Sequence, residues 1–393
     1  MPEVEHIVIY MQENHSYDNY FGMLGRGDGF TIEHGVPTNA NPGLDGAPVP
    51  VFHQPSGCDV QPSAHQTWSG TYASVNGGAM DGFVRSAVGG GHGSMGYWDG
   101  TDLPFYYSLA RHFPICDRWF CSVPAQTFPN RRFLQAATSV GILTTDIDEV
   151  LATPDAPNGL IWDRLNAHGI SWIDYGVDLF DILLFPNFYA KNTSHTKPWQ
   201  QFLTDCASGT LPQVSLIGPG DKTYTEEAPA DVRMGEAYSA VLVNALMHSP
   251  LWEKTVMFFT YDEHGGYYDH VPPPPAVKPD DIAPRYKPTD PQNVNPFEMY
   301  GPRVPGFVIS PFARKDHVSH VVRDQTSILK FIERKFNLGA LTYRDANADD
   351  LLDCLDFDQA AFREPPTLAA PTLVPPAPST CQPGLPPLPA IPT

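Results

Sequence analysis

The sequence predicts an α/β domain built on a largely parallel sheet with helices on both faces. Three observations carry that prediction. Short apolar runs such as His6–Met11 and Val256–Tyr261 have the length and continuity of strands buried on both sides. Segments with helical spacing alternate with such runs, as βαβ units require. And 393 residues with 42% hydrophobic content are ample for a core, in one large domain or two ordinary ones.

His6–Met11 is the first strand, and it runs into Gln12-Glu13-Asn14-His15-Ser16 and then Tyr17-Asp18-Asn19-Tyr20-Phe21-Gly22. Residues 23–65, rich in Gly, Pro and Asn, form a long excursion, and Gly89–Gly93 is a further loop. Phe105–His112 and Phe133–Ser139 read as short helices, Ile170–Tyr175 and Val214–Ile217 as strands. Gly235–His248 is helical, because Tyr238, Val241, Leu242, Ala245 and Leu246 fall on one face. Val256–Tyr261 and Val304–Ser310 are strands, separated by the proline-dense loop Pro272–Pro302, which cannot supply ladder donors. Ser327–Phe336 is an amphipathic helix through Ile328, Leu329, Phe331 and Ile332. The acidic stretch Asp345–Asp358 reads as solvated surface. The domain spans residues 1–364. Residues 365–393 hold eleven prolines and few charges, and read as an extended tail.

The charge balance narrows the function. With 24 basic against 44 acidic residues the net charge is −20, which argues against unaided binding to nucleic-acid phosphates. It also argues against simple electrostatic docking on an anionic membrane, although a local metal or Arg can reverse the sign inside a cleft. No apolar run reaches the ~18–20 residues of a membrane span. The amino terminus has neither a basic region nor a cleavage site, so a signal peptide is not expected. The chain is then cytoplasmic or the mature form of an exported protein. Cys58, Cys116, Cys121, Cys206, Cys354 and Cys381 fit no zinc or redox spacing. Their even number permits disulfides, buried free thiols being the ordinary alternative.

Two polar clusters follow apolar strands: Glu13-Asn14 and Asp262-Glu263. Sites in open α/β sheets gather beyond the carboxyl ends of strands. If these strands are neighbours, three carboxylates and an amide converge, and a divalent cation resolves their repulsion. Oxygen ligands favour Ca²⁺, Mg²⁺ or Mn²⁺, with Zn²⁺ a lesser option. A surface acidic pair is the commoner meaning of either dipeptide alone.

The second constellation is Gln126-Thr127-Phe128-Pro129-Asn130-Arg131-Arg132. Pro129 suits a first helical turn, which places Thr127 in the N-cap region, either as a plain cap or as a nucleophile. A threonine hydroxyl needs a metal or base to react at neutral pH. A helix amino terminus also holds phosphate, and Asn130 and Arg131 add donors. The third stretch is Tyr261 to Val271, with a glycine pair, Asp269 and two histidines. His264 and His270 are candidates to donate to phosphate or protonate a leaving group. His65 is a weaker candidate, and His15 reads as lying outside the first contacts.

Together these stretches resemble the phosphoesterase family that contains bacterial and plant non-specific phospholipases C and an acid-phosphatase branch. The family's Glu-Asn-Arg-Ser-Phe-Asp motif reads here as Glu13-Asn14-His15-Ser16-Tyr17-Asp18. Its Thr-x-Pro-Asn-Arg motif is Thr127 to Arg131, and its Asp-Glu-x-x-Gly-x-x-Asp-His-Val motif holds Asp262, Glu263, Gly266, Asp269, His270 and Val271. A fourth, Gly-x-Arg-Val-Pro…Ser-Pro, is met by Gly301, Arg303, Val304, Pro305, Ser310 and Pro311.

The resemblance implies an alkaline-phosphatase-like fold with residues 1–364 as the catalytic domain. It implies one divalent metal on Glu13, Asn14, Asp262 and Glu263. Thr127 would attack phosphorus and form a covalent intermediate, served by Asp269 and His270. Asn130, Arg131, His65 and His264 would contact phosphate or the leaving group. The substrate would be a phospholipid, cleaved to diacylglycerol and phosphorylated head group, with transient contact at a membrane surface. Trp98, Phe105, Tyr106, Phe128 and the 272–302 loop are candidates to accept acyl chains, ordinary core packing being the commoner role for such aromatics. The alternatives are a phosphomonoesterase with an acid optimum, and a non-catalytic binding member of the family. The chain departs from the pattern at His15, where the family has Arg, and at Gln325, where it often has His. It also departs at 226–231, where Glu226-Glu227-Ala228-Pro229 replaces an Asp-His-Pro.

Overall fold

The computed structural model describes residues 1–58 and 65–393, so part of the 23–65 excursion, residues 59–64, lies outside the described residues. Eight strands form the central sheet: β1 (His6–Gln12), β2 (Ile115–Cys116), β3 (Trp172–Gly176), β4 (Thr196–Pro198), β5 (Val214–Ile217), β6 (Thr255–Tyr261), β7 (Gly306–Ile309) and β8 (Val318–Ser319). Their order is β4-β3-β5-β1-β6-β7-β2-β8. Every pairing is parallel except those of β7, which runs against both β6 and β2. The mostly parallel α/β sheet is therefore as the sequence predicts.

The main helices are α1 (Tyr17–Phe21), α2 (Pro104–His112), α3 (Thr127–Ala136), α4 (Ile161–Ala167), α5 (Trp199–Ser208), α6 (Val232–Met247) and α7 (Thr326–Phe336). They cover both faces of the sheet. In β6 the Phe258 ring meets Phe331 of α7 at 4.8 Å, while adjacent Phe259 meets Tyr106 of α2 at 5.8 Å. Successive strand residues point to opposite faces, so α2 and α7 lie on opposite sides. Helix α6 joins the α2 side, and α3 and α4 join the α7 side. All of β6, and all of β1 beyond His6, is buried. Their near-continuous apolar character follows from that double cover.

Several boundaries differ from the sequence expectation. The helix expected over Phe133–Ser139 is α3, which starts at Thr127 and stops where Ala137 takes a positive φ of 55°. Pro129 fits its first turn, where no N–H is needed. Helix α6 begins three residues earlier than expected, because Asp231 accepts the N–H of Arg233 at 3.2 Å and caps it. The acidic stretch is not simply solvated. Asp345 is buried and caps its helix from within, and Asp349 and Asp353 pair with the buried Arg323.

Residues 365–393 contain neither helix nor strand, and they are strapped to the body. A disulfide joins Cys58 to Cys381 with Cα atoms 5.6 Å apart. Ser379 Oγ donates to Asp231 Oδ2 at 2.6 Å, and Tyr224 donates its hydroxyl to the Pro386 carbonyl at 3.1 Å. Leu373 and Leu388 are buried in the main core. The other four cysteines are free and buried, so the chain uses both options its cysteine count left open. Among the described residues no helix is long and apolar enough to cross a membrane.

Candidate active site

Strands β1 and β6 are adjacent and in register to their last residues, Gln12 opposite Tyr261. The Asp262 N–H donates to the Gln12 carbonyl at 3.1 Å. Glu13-Asn14 and Asp262-Glu263 therefore leave the sheet side by side. The carboxyl ends of β3 and β5 share this edge, where ligands of such sheets bind. The ends of β1, β3 and β5 border a cavity of about 400 Å³, which Glu13 lines, whereas Asn14, Asp262 and Glu263 are not among its lining residues.

Arg131, one turn into α3, organises the charge. Its Nε donates to Asp262 Oδ2 and its Nη1 to Asp181 Oδ1, each at 2.9 Å. Its Nη2 is 3.6 Å from Glu13 Oε2 and has no hydrogen-bond partner. Asn14 Nδ2 donates to Glu263 Oε1 at 2.7 Å and to Gln66 Oε1 at 3.3 Å. Gln66 in turn donates to Glu227 Oε1 at 3.1 Å. Burial pushes Glu13 and Glu263 well above the usual carboxylate range. It lifts Asp262 to about 7 against the pull of Arg131.

The donor set fits a hard cation. Glu13, Asp262 and Glu263 are buried, Arg131 pairs with the first two and with Asp181 but not with Glu263, and the Asn14 Oδ1 is buried without a partner. Such surplus charge is costly away from water unless a counter-ion joins it. The set is open rather than closed: the Glu13, Asp262 and Glu263 oxygens do not all lie within 4.8 Å of one another. Arg131 stands between Glu13 and Asp262.

Thr127 opens α3 at its first helical position, and Gln126 occupies the cap. The Thr127 hydroxyl makes no capping bond and has no hydrogen-bond partner among the described residues. It lines the cavity together with Glu13, Gln66, Arg131 and Glu227. Phe128, Phe180, Leu183 and Leu184 give the cavity its apolar lining, to which Tyr189 adds a ring. Ile147, Leu151 and Leu179 stand at its mouth, 55%, 61% and 52% exposed.

Other expected contacts are not at the cavity wall. Asn130 Nδ2 is spent on the carbonyls of Val123, Ala125 and Gln126, and its Oδ1 accepts the Val123 N–H. These bonds brace the loop that leads into Thr127. His264 is buried, 3.2 Å from Glu263 Oε2 without hydrogen-bond alignment. Burial lowers it to about 3, so it is neutral. Asp269 and His270 belong to a neighbouring network. Arg303 donates to Asp269 Oδ1 at 2.9 Å and to Asp18 Oδ1 at 3.0 Å, and His270 Nδ1 lies 2.6 Å from Asp18 Oδ2. These contacts knit the first, third and fourth motifs together. His65 is exposed and does not line the cavity.

The glycine pair serves the loops, not a ligand. A Cβ on Gly265 would lie 2.2 Å from the Asn14 carbonyl oxygen, and the Gly265 N–H donates to Glu263 Oε2 at 2.7 Å. Trp98, Phe105 and Tyr106 are core residues, at most 1% exposed, and no residue of 272–302 lines the cavity. Of the expected acyl-facing groups only Phe128 does.

The departures from the family pattern acquire physical meaning. His15 is stacked between Tyr20 and Tyr267 at 4.3 and 4.7 Å, and burial holds it neutral at about 3. Gln325 Nε2 donates to the carbonyls of Tyr261 and Asp262, both at 3.1 Å, bracing the end of β6. Glu226 turns away from the cavity, and Glu227 lines it. Gln66 and Asp181 carried no motif and were not anticipated.

A strand-end cluster of acidic and amide oxygens, an unpartnered hydroxyl on a helix start and an arginine paired with the cluster lie at this end of the sheet. The chain belongs to the phosphoesterase family, whose model matches residues 4–339. It is 29% identical to a non-hemolytic phospholipase C of Pseudomonas aeruginosa, over 91% of this chain and 58% of that protein. It is 30% identical to phospholipase C B of Mycobacterium tuberculosis, over 95% of this chain and 81% of that one. The chain thus spans little more than half the length of the Pseudomonas relative. A murine ectonucleotide pyrophosphatase/phosphodiesterase 5 structure superposes with a TM-score of 0.42 at 11% identity, over 65% of this chain and 95% of that one.

Proposed function

We propose that this chain is a metal-dependent phosphoesterase of the phospholipase C type with an alkaline-phosphatase-like fold. Its substrate is a phosphatidylcholine-like phospholipid, cleaved to diacylglycerol and phosphorylated head group. The observation that carries this reading is the pairing of an unpartnered Thr127 hydroxyl with an apolar-mouthed cavity. Polar groups for phosphate and apolar groups for hydrocarbon line the same cavity. The phospholipase C names of the relatives point the same way.

Thr127 attacks phosphorus, and a phosphothreonine is then hydrolysed by water. The free Nη2 of Arg131 and the N–H groups at the start of α3 hold the phosphate oxygens. Glu13, Asn14, Asp262 and Glu263 would hold one divalent ion, which would supply neutralisation of phosphate charge and a lowered pKa for an oxygen nucleophile.

The test compares phosphatidylcholine in mixed micelles with an aryl phosphate monoester, across pH, with and without a chelator. Chelator-sensitive release of phosphocholine with little monoester turnover is expected. Monoester turnover without lipid cleavage would replace this reading with the acid phosphatase. Turnover of neither substrate at any pH, with metal bound, would leave the non-catalytic binding member.

A further inference from the structure

A phosphodiester releasing diacylglycerol needs a proton for its departing alkoxide, and the cavity offers few donors. No histidine lines it among the described residues. Of the titratable side chains that do, Asp181 is held by Arg131, and Asp174 is buried and accepts the Ile182 N–H at 3.0 Å. Tyr175 donates its hydroxyl to Asp205 at 2.7 Å. Asp221 is exposed, and Glu13 belongs to the cation set. Tyr189 also lines the cavity. Among the lining carboxyls, Glu227 differs from the rest. Its Oε1 is fixed by Gln66, whereas its Oε2 has no hydrogen-bond partner among the described residues. Among the described residues no cation pairs with it, and it is half-buried and lines the cavity that Thr127 also lines.

The geometry points to Glu227 as the general acid of the first half-reaction and the general base of the second. This assignment rests on the phosphodiesterase reading above. In the first half-reaction the Thr127 Oγ–P bond forms and the P–O bond to diacylglycerol breaks. The departing oxygen keeps the electron pair and takes the proton of Glu227, while the Thr127 proton passes to cavity water. In the second, Glu227 takes a proton from the attacking water, whose oxygen bonds to phosphorus. The Oγ–P bond breaks, and Thr127 recovers a proton from solvent. Burial raises the Glu227 carboxyl, as does Asp221, against the opposing effects of Gln66 and Arg131. A raised carboxyl suits a group that must hold a proton and then release it.

The test uses leaving groups of different basicity in wild type, Glu227→Gln and Glu227→Asp. An aryl phosphocholine expels a weakly basic phenolate that needs no acid, whereas phosphatidylcholine expels an alkoxide. Glu227→Gln is expected to slow diacylglycerol release about 10²-fold or more. The rapid first release of phenolate should stay within about threefold of wild type, followed by slow turnover as phosphothreonine accumulates. Glu227→Asp, which retains a carboxyl, should recover part of the diacylglycerol release. Equal slowing of both releases, no slowing of either, or loss of bound metal in Glu227→Gln would overturn the assignment. A wild type inert toward both diesters would instead remove the phosphodiesterase reading, and the assignment with it.

Discussion

Tyr261, the last residue of β6, donates its hydroxyl to Glu226 Oε2 at 2.8 Å. Tyr20 and Tyr106 donate to the same carboxylate. One fully buried side chain thereby fastens the strand end that continues into Asp262 to the segment that continues into Glu227. Burial lifts Glu226 to about 7, and the three tyrosines act against that rise. Glu226→Ala leaves three hydroxyls facing a void and should cost about 3–5 kcal/mol. Glu226→Gln keeps one acceptor and should cost clearly less. Urea unfolding of the three proteins checks the order, and an alanine variant as stable as the glutamine one would contradict it.

Thr127 carries no structural duty that the alanine side chain lacks. Its hydroxyl caps nothing, so Thr127→Ala should change stability by no more than about 0.5 kcal/mol. Turnover of any phosphate ester should fall at least about 10³-fold. A variant with a normal melting curve and full activity would take the nucleophile role from this residue.

The parts of the site legible in the sequence were those set by strand ends. A parallel strand covered on both faces reads as an apolar run, so the polar dipeptide after it marks the sheet edge. Glu13-Asn14 and Asp262-Glu263 were found in this way. Asn130 and His264 have the right chemistry for phosphate contact, but their contacts are decided by loop packing that leaves no periodic trace. The apolar wall was missed for a related reason. Leu183 and Leu184, in a single 3₁₀ turn, look like core residues, and Ile147 and Leu151 lie on a six-residue helix too short to display a face. β2 and β8, two residues each, are too brief for any pattern. The Cys58–Cys381 pairing spans 323 residues, and connectivity at that range does not follow from spacing.

His270 gives the protein a pH signature. Burial opposes its charge, but Asp18 and Asp269 prevail over burial and over Arg303, raising it to about 9. Asp28 also faces its Nε2, at 3.2 Å. A histidine raised on folding stabilises fully below its unfolded pKa of about 6.5. That contribution, at most about 3 kcal/mol, is lost as pH rises through about 9. Wild type should therefore lose stability between pH 7 and 10 more steeply than His270→Gln. Parallel curves would show that the Asp18 contact does not hold a proton there.

The disulfide closes a loop around most of the chain and keeps the strap against Asp231 and Tyr224. Cys381→Ser should lower stability by about 3–5 kcal/mol. Limited proteolysis should remove residues after Glu364 from the variant faster than from wild type. Reductant should shift the wild-type melting curve onto that of the variant and leave the variant where it was. A reductant effect on the variant would mean that another bond or thiol is responsible.

Ile147, Leu151 and Leu179 supply three of the eleven exposed large apolar side chains among the described residues, and all three stand at one cavity mouth. Exposed apolar groups cluster in this way where a surface is meant to be covered. For the lipid-cleaving site proposed above the cover would be hydrocarbon, and its removal from water would be the driving force. Asp at these positions would face the acyl region with a charge while disturbing little of the fold, since each side chain is more than half exposed. The triple Asp variant should lose at least about tenfold in turnover of phosphatidylcholine micelles. A water-soluble phosphocholine ester should be cleaved within about twofold of the wild-type rate, because Thr127 and Arg131 are untouched. The difference should appear mainly as a raised KM for lipid, reporting docking rather than chemistry. Equal losses on both substrates would place these residues in the support of the site instead of its mouth.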